Sequence, residues 1–417
     1  MTRILLVSLL PAFLWAEHIT LDFQTAVKNL STQNRDILAA RQNRDTAQYN
    51  YRATYAAFLP QVNLGLNYTQ GNSATTAQLA NQSNRYELYS ASMGVSQNVF
   101  SGLADYYKIK AAKANMDLSE ANFRQTAAKA LYDLKAAWAQ LALSYKQNEL
   151  ALSTLKRRKD NRKMIELRFK GGSENKGSLL MAEAYETQAN RDVNQSLRQR
   201  INAETELKRV LYLPQDATIA ISGLFQRKNP PEEVLLVDTA KKTPEYLQAL
   251  AKELNAEAGA DQSMSVFFPT VTASGSLFRQ GPDFFPQGDR WSVTVGASYP
   301  IFTGGKDYYT VKAAKSAFEE AKQNTRSVEA TRISRLQQTL QSYRAAEESA
   351  KISTSLLEAS NVRAQIARVK YMSGLLSFDQ WDIIENDLIS RQKDALQTRY
   401  DLDVAQATWE QTLGEWD

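Results

Sequence analysis

The sequence predicts a mainly α-helical fold with a membrane β-barrel portion, built from one unit of a long α-hairpin plus a β-hairpin that occurs twice. Three observations carry this reading: a tandem duplication in fixed register, strand-like segments with an uncharged polar face, and two very long runs free of proline and glycine.

The duplication is plainest where "DYYKIKAAK" at Asp105–Lys113 meets "DYYTVKAAK" at Asp307–Lys315, with seven of nine residues identical. Gly94 pairs with Gly296, Phe100 with Phe302, Gly172 with Gly374, Glu183 with Glu385 and Leu211 with Leu413, always 202 residues apart. Upstream, "FLPQV" at Phe58 echoes "FFPTV" at Phe267 at a separation of 209. A register held this long without insertion means that both copies build the same unit.

Composition narrows the function. Residues 1–16 carry Arg3, an apolar run and Ala16, the pattern of a secretory signal peptide. No other stretch offers the roughly 18 consecutive apolar residues of a spanning helix, so entry into a membrane would have to be by strands. The chain has no cysteine and one histidine, His18. Disulfides, thiolate metal sites and a lipidated cysteine are therefore excluded, and little material remains for a zinc site or a Ser-His-Asp triad. We assign no catalytic, cofactor-binding or metal-binding residue. The net charge of +5 comes from 50 basic and 45 acidic residues interspersed along helices, which points away from nucleic acid. One run stands out, "KRRKDNRK" from Lys156. Its counterpart from Glu358, "EASNVRAQ", is nearly neutral, so the two copies present different surfaces.

The strands decide the class. Val62, Leu64, Leu66 and Tyr68 alternate with Asn63, Gly65 and Asn67; Tyr89, Ala91, Met93 and Val95 alternate with Ser90, Ser92 and Gly94. The second copy repeats the pattern with Val271, Ala273 and Leu277, then Trp291, Val293, Val295 and Tyr299. A half-buried strand in a soluble sheet has the same period, but its polar face would carry Lys and Glu. Ser, Thr, Asn and Gly suit a water-filled lumen opposite a lipid-facing side, with Tyr68, Trp291 and Tyr299 as interface aromatics. The connections "TQGNSATTAQLANQSNR" and "RQGPDFFPQGDR" would be external loops. Four strands cannot close a barrel, and an open edge in hydrocarbon is costly, so copies must associate. Two copies would supply eight strands and three would supply twelve. A conducting bore favours three, because eight-stranded interiors are filled by side chains.

Each second strand leads to a helix start, with Ser101 and Thr303 as N-caps and Asp105 and Asp307 in the first turn. From Leu103 to Phe169 there is no proline or glycine, enough for a helix of roughly 100 Å; the second copy matches from Gly305 to Tyr371. Heptad-like spacing supplies a packing seam: Leu131, Leu134, Trp138, Leu141, Tyr145, Leu152 and Leu155, echoed by Ile333, Leu336, Leu340, Tyr343 and Leu357. Gly171, Gly172, Gly177 and Gly374 let the chain reverse into return helices near Leu179–Leu211 and Leu376–Leu413. The segments Leu21–Phe58 and Pro244–Phe267 could stack end to end on those return helices.

The expected organisation is a signal peptide (1–16), a first repeat (17–213, with β-hairpin 61–99 and helical hairpin 103–211), an external belt (214–243) and a second repeat (244–417, with β-hairpin 270–300 and helical hairpin 305–413).

These features together resemble the TolC-type outer-membrane efflux proteins. "ITLDFQTAVKNLSTQNRDI" from Ile19 is similar to the family's opening segment, "FLP" precedes the first strand, "IFTGG" follows the fourth, and "YMSGLLSFDQWDIIENDLI" from Tyr371 is similar to its second tip turn. The resemblance implies a trimer with a 12-strand β-barrel in the outer membrane and a 12-helix tunnel in the periplasm. It implies an inner-membrane pump and a periplasmic adaptor as partners, and conduction without covalent chemistry. It places a periplasmic gate at Tyr371, with the family's acidic positions falling on Gln380 and Ile383 and with Asp379 and Asp382 beside them. It assigns adaptor docking to Gly172, Gly374 and Leu375. Lys156, Arg157, Arg158 and Lys159 would make alternate tunnel grooves electrostatically distinct. A periplasmic coiled-coil scaffold or adaptor without a pore is the alternative, and it leaves the four strands unexplained.

Overall fold

A computed structural model describes residues 18–73, 84–223 and 225–416. The segment expected to be a signal peptide and the middle of the connection expected to be the first external loop lie outside these residues. In chain order the elements are β1 (His18–Asp22), α1 (Phe23–Gln33), α2 (Arg35–Ala53), β2 (Gln61–Ser73), β3 (Asn84–Ser101), α3 (Ala104–Lys170), α4 (Lys176–Leu211), β4 (Thr218–Ser222), α5 (Leu236–Ala240), α6 (Pro244–Ser263), β5 (Thr270–Gly281), β6 (Arg290–Ser298), α7 (Lys306–Met372) and α8 (Phe378–Leu413). The duplication of the helical hairpins is exact in length: α3 and α7 each have 67 residues, and α4 and α8 each have 36.

The helix ends explain this fidelity. Gly172 and Gly374 both take φ of 76°, and around each the chain closes the same pair of reversed bonds. The N–H of Ser173 reaches the carbonyl of Arg168 at 2.9 Å and that of Leu375 reaches Lys370 at 2.9 Å. This six-to-one closure satisfies carbonyls that the helix leaves without partners. The return helices start on equivalent caps, with Asn175 accepting from the N–H of Ser178 and Ser377 from that of Gln380.

Contacts divide the chain into two compact units that cut across the repeats. Of the described residues, one unit holds those within 18–40, 123–243 and 332–416, the other those within 41–122 and 244–331. In the first unit, α3 carries most of the core. Leu131, Leu134, Trp138 and Leu141 pack with Leu21, Leu30, Leu207, Leu211, Ile219 and Phe225. A second cluster gathers Leu336, Leu340, Tyr343, Leu402 and Trp409. The expected seam holds in these stretches but fails nearer the turn, where Leu152 is exposed and Leu155 and Leu357 are half-buried. Buried polar groups take over there, such as Asn148, which donates to Ser196 at 2.9 Å.

The expected end-to-end stacking has a specific joint in this unit. The Asn34 side chain accepts from the N–H groups of Asp36 and Ile37, capping α2, while its amide donates to the carbonyl of Val210 at the end of α4. One amide thus serves two helix ends. The belt differs from expectation in one respect, because Thr218–Ser222 forms a strand that pairs in parallel with His18–Asp22. The opening residues of the first repeat are therefore a strand before they are a helix.

The second unit holds one four-stranded antiparallel sheet, in the order β2-β3-β5-β6. The helices α2, α6 and the flanking ends of α3 and α7 supply a small-residue core here, with Ala114, Ala121, Ala251 and Ala258 buried. Ser101 is not the cap itself: Gly102 and Leu103 both take positive φ between it and α3. Its hydroxyl still accepts from the N–H of Asp105 and donates to that carboxylate at 2.6 Å. A Cβ at Gly102 would lie 2.6 Å from the carbonyl of Ser265 and 2.8 Å from Phe268. We expect Gly102→Ala to destabilise by about 1–3 kcal/mol, and Leu103→Gly to stabilise by about 0.5–1 kcal/mol by relieving a left-handed leucine. Denaturant midpoints of the two variants check both signs.

Candidate functional site

Two regions carry the candidate function: the wall formed by the sheet and the tips of the helical hairpins. The wall's character follows from strand register. Pairing aligns Leu64, Met93, Leu277 and Trp291 in one row across all four strands, and Val62, Val95, Gly275 and Val293 in the next. The opposite face aligns Asn63, Gly94, Ser276 and Ser292, where the two serine hydroxyls lie 2.8 Å apart. The alternation read from the sequence is therefore one continuous apolar face and one small polar face. The middle of the apolar side is open among the described residues: Leu64 is 75% and Trp291 77% exposed. The outer edges of β2 and β6 have no strand partner among the described residues. No described helix is long and apolar enough to cross a membrane.

At the tips, Tyr371 is buried, 1% exposed, and its ring stacks on Trp381 with centroids 4.6 Å apart and planes within 3°. Its hydroxyl donates to Glu174 at 2.8 Å, so it bridges from the second hairpin to the first tip turn. Arg168 lies over the other side of that ring and donates to the Tyr371 carbonyl at 2.7 Å. Burial, and then the bond to Glu174, push the Tyr371 hydroxyl well above the ordinary tyrosine range. It therefore remains a donor at neutral pH.

A second tier lies next to this one. Arg158 of α3 contacts Asp382 of α8 at 3.4 Å and bonds to Asn386, while lying over the ring of Tyr185 at 4.5 Å. Tyr185 donates to Asp382 at 2.8 Å, and Asn386 donates to the same carboxylate at 2.9 Å. Arg157 reaches Glu385 at 3.5 Å and Gln392 at 2.9 Å, and burial lowers its guanidinium from the usual value against the pull of Glu385.

These contacts revise the reading of "KRRKDNRK" as one surface patch. Lys156 and Lys159 are exposed, but Arg158 is buried, 7% exposed, and Arg157 is half-buried, both turned toward α8. A helix turns about 100° per residue, so four consecutive charges cannot share one face. Of the residues placed at the gate, Tyr371 and Asp382 enter these two tiers. Asp379 sits exposed in the first turn of α8, and Gln380 completes the Ser377 capping box. Gly172 and Gly374 stand at open turns with no side-chain neighbour within 4 Å, and Leu375 is 77% exposed. Glu174, Arg168, Tyr185, Trp381 and Asn386 were not singled out from the sequence. Glu174, Arg168 and Tyr185 meet partners about 200 residues away at positions that the duplication does not relate, so the repeat gives no signal for them, whereas Trp381 and Asn386 meet Tyr371 and Asp382 locally, across the tip turn and along α8.

Because Tyr371 is held protonated, its contribution to stability is full below its unfolded value near 10 and declines as pH rises through its higher folded value. We expect an alkaline loss of tip packing beginning above about pH 10 that Tyr371→Phe abolishes. Tyrosinate absorbance followed alongside circular dichroism checks it.

Among the described residues no His, Cys, Asp and Glu cluster could hold a metal ion. An exposed apolar sheet with free edges, joined to paired long helical hairpins, defines a membrane-wall protein of the channel-forming type. The outer membrane efflux protein model matches residues 26–211 and 235–415, and the chain belongs to that family. By fold it is similar to VceC from Vibrio cholerae, an outer membrane protein (TM-score 0.83, 16% identity, 94% of this chain and 96% of that one). It is also similar to a membrane protein from Pseudomonas aeruginosa (0.82, 17%, 94% and 93%) and to the Neisseria gonorrhoeae MtrE outer membrane channel (0.80, 18%, 94% and 89%). Comparison with curated proteins by sequence gives no match.

Proposed function

We propose that this efflux protein is the exit duct of a tripartite efflux or type I secretion system. Three copies close a 12-strand barrel in outer-membrane lipid and a 12-helix tunnel in the periplasm, and they accept cargo from an inner-membrane pump through a periplasmic adaptor. The carrying observation is the four-strand apolar face with two unpaired edges. Hydrocarbon tolerates such a sheet only if neighbouring copies pair with those edges, and the small polar face then lines a wet bore. The duct works by conduction and binds no nucleic acid.

In this reading the tips close the bore. Tyr371 with Glu174, and Asp382 with Arg158 and Tyr185, tie the second hairpin to the first, and release of these bonds lets the tips part. Asp379 and Gln380 complete the gate region. Gly172, Gly374 and Leu375 form the adaptor-docking surface, since the glycines leave the turns bare and Leu375 offers an apolar contact. Lys156 and Lys159 carry whatever charge distinguishes one groove from the next.

The test is export by cells carrying Leu375→Glu together with detergent gel analysis of assembly. We expect export to fall at least about tenfold, as when a buried apolar anchor is lost from an interface, with trimers intact. Normal export by intact Leu375→Glu trimers sinks the docking assignment. A product that remains monomeric and dissolves without detergent sinks the duct itself.

A further inference from the structure

The small polar face of the sheet changes character at its loop end. Register sets Gly65, Ser92, Phe278 and Arg290 in one row across the four strands, on the same side as Ser276 and Ser292. The adjoining residues fix this parity independently. Arg279 shares the apolar row of Ala91 and Leu66, and it is ion-paired with Asp289 on that side. Successive side chains of a strand point to opposite faces, so Phe278 and Arg290 point to the polar one. The other described positions of that face are uncharged, most of them Ser, Thr, Asn or Gly, and Arg290 carries its only charge among the described residues. Its side chain is exposed and makes no hydrogen bond or ion pair with a described residue, since the neighbouring carboxylate of Asp289 is taken by Arg279. Packing of the chain on itself gives no reason for an arginine at this place.

We propose that Arg290 is a specificity-determining residue of the exit, forming a ring of fixed positive charge at the external end of the bore that favours anionic over cationic solutes. The inference rests on the reading of the sheet as one third of a closed wall. Three copies repeat the row at one height, so three guanidiniums face the same water with no carboxylate on that face to cancel them. Twelve strands about 4.8 Å apart and tilted about 40° enclose roughly 24 Å between backbones, so a solute crossing this tier is never more than about 12 Å from the backbone of one Arg290. The side chains reach inward from there, which brings the charge to within about the 8 Å over which salt screens it. Phe278, paired with Arg290 across the two strands, is bulky where the next row has Ser276 and Ser292, and it displaces water beside the charge. Guanidinium stays protonated at any working pH, so the ring cannot be switched off by titration. Rings of one sign in a confined bore raise the local concentration of the opposite ion and set selectivity.

The experiment reconstitutes the full-length protein in planar bilayers and reads the reversal potential in a potassium chloride gradient, for the wild type and for Arg290→Lys, Arg290→Gln and Arg290→Glu. The charges at the tips are the same in all four proteins, so any difference belongs to residue 290. The chloride-to-potassium permeability ratio should fall about threefold from the wild type to Arg290→Gln and about threefold again to Arg290→Glu. Arg290→Lys, which changes the shape of the side chain and keeps its charge, should restore the wild-type ratio. If Arg290→Glu does not assemble, the comparison of Arg290→Gln with Arg290→Lys still decides the matter. One ratio shared by the wild type, Arg290→Gln and Arg290→Lys overturns the proposal, and so does a ratio that follows side-chain size instead of charge. Channels indifferent to residue 290 lose only this inference, whereas a wild type that opens no channel and dissolves without detergent loses the duct as well.

Discussion

Trp138→Ala is expected to remove about 3–5 kcal/mol of stability, the range for truncating a large buried aromatic side chain. The indole is fully buried on α3, packs edge-on against Phe23 with centroids 5.5 Å apart, and donates through Nε1 to the Gly223 carbonyl at 3.2 Å. Phe23 belongs to the opening helix and Gly223 to the belt, so one side chain holds two separate segments on the long helix. Truncation leaves a cavity and a carbonyl that has lost its indole donor, and both segments should loosen together. Hydrogen exchange at β1 and β4 should rise in parallel, because among the described residues these strands pair only with each other. Trp291→Ala is the matched comparison: the same atoms are removed from a residue 77% exposed in the chain, and denaturation in detergent should change little. Equal losses for the two variants would contradict this account of the core.

Arg158→Ala should act at the tips with comparable energy. Removing a buried guanidinium leaves the Asp382 carboxylate with only the neutral donors of Tyr185 and Asn386 and takes the cation from the Tyr185 ring, and breaking one side of a buried ion pair costs about 3–5 kcal/mol. If the two tiers hold the bore shut, single-channel conductance in planar bilayers should rise severalfold, and cells should become sensitive to large antibiotics. Lys156→Ala, two residues away but exposed, should fall within about 0.5 kcal/mol of the wild type and leave conductance unchanged. A destabilised Arg158→Ala protein with unaltered conductance would keep the packing role and reject the gating one.

The asymmetry of the tips explains why this site was only half legible. Tyr371 and Asp382 were found through the resemblance of "YMSGLLSFDQWDIIENDLI" to a family tip turn, and both enter the observed network. Their partners were not found, since Glu174 aligns with Leu376 in the duplication and Tyr185 with Asp387. A repeat predicts like opposite like, and these bonds join unlike positions. Similarly, "KRRKDNRK" reads as one basic patch along the chain, yet helical rotation sends Arg158 inward and Lys156 and Lys159 outward. The pairing of β1 with β4 is illegible in the sequence for another reason. Ile219 and Ile221 do alternate with Thr218 and Ala220, but a five-residue strand is too short for its period to outweigh the prolines and glycine around it.

The sequence by itself determined the elements and their doubling: the 202-residue register, the two long helical hairpins with their glycine turns, and the four strands with one apolar and one small polar face. These follow from local rules, since period, caps and turn residues act within a few positions of one another. The tertiary structure alone decided which buried polar groups meet: Asn34 with the end of α4, Tyr371 with Glu174, and Arg158 with Asp382 and Tyr185. Such partners are chosen by how helices rotate and slide when their apolar faces are buried. That choice depends on the whole packing, so no short window of sequence contains it.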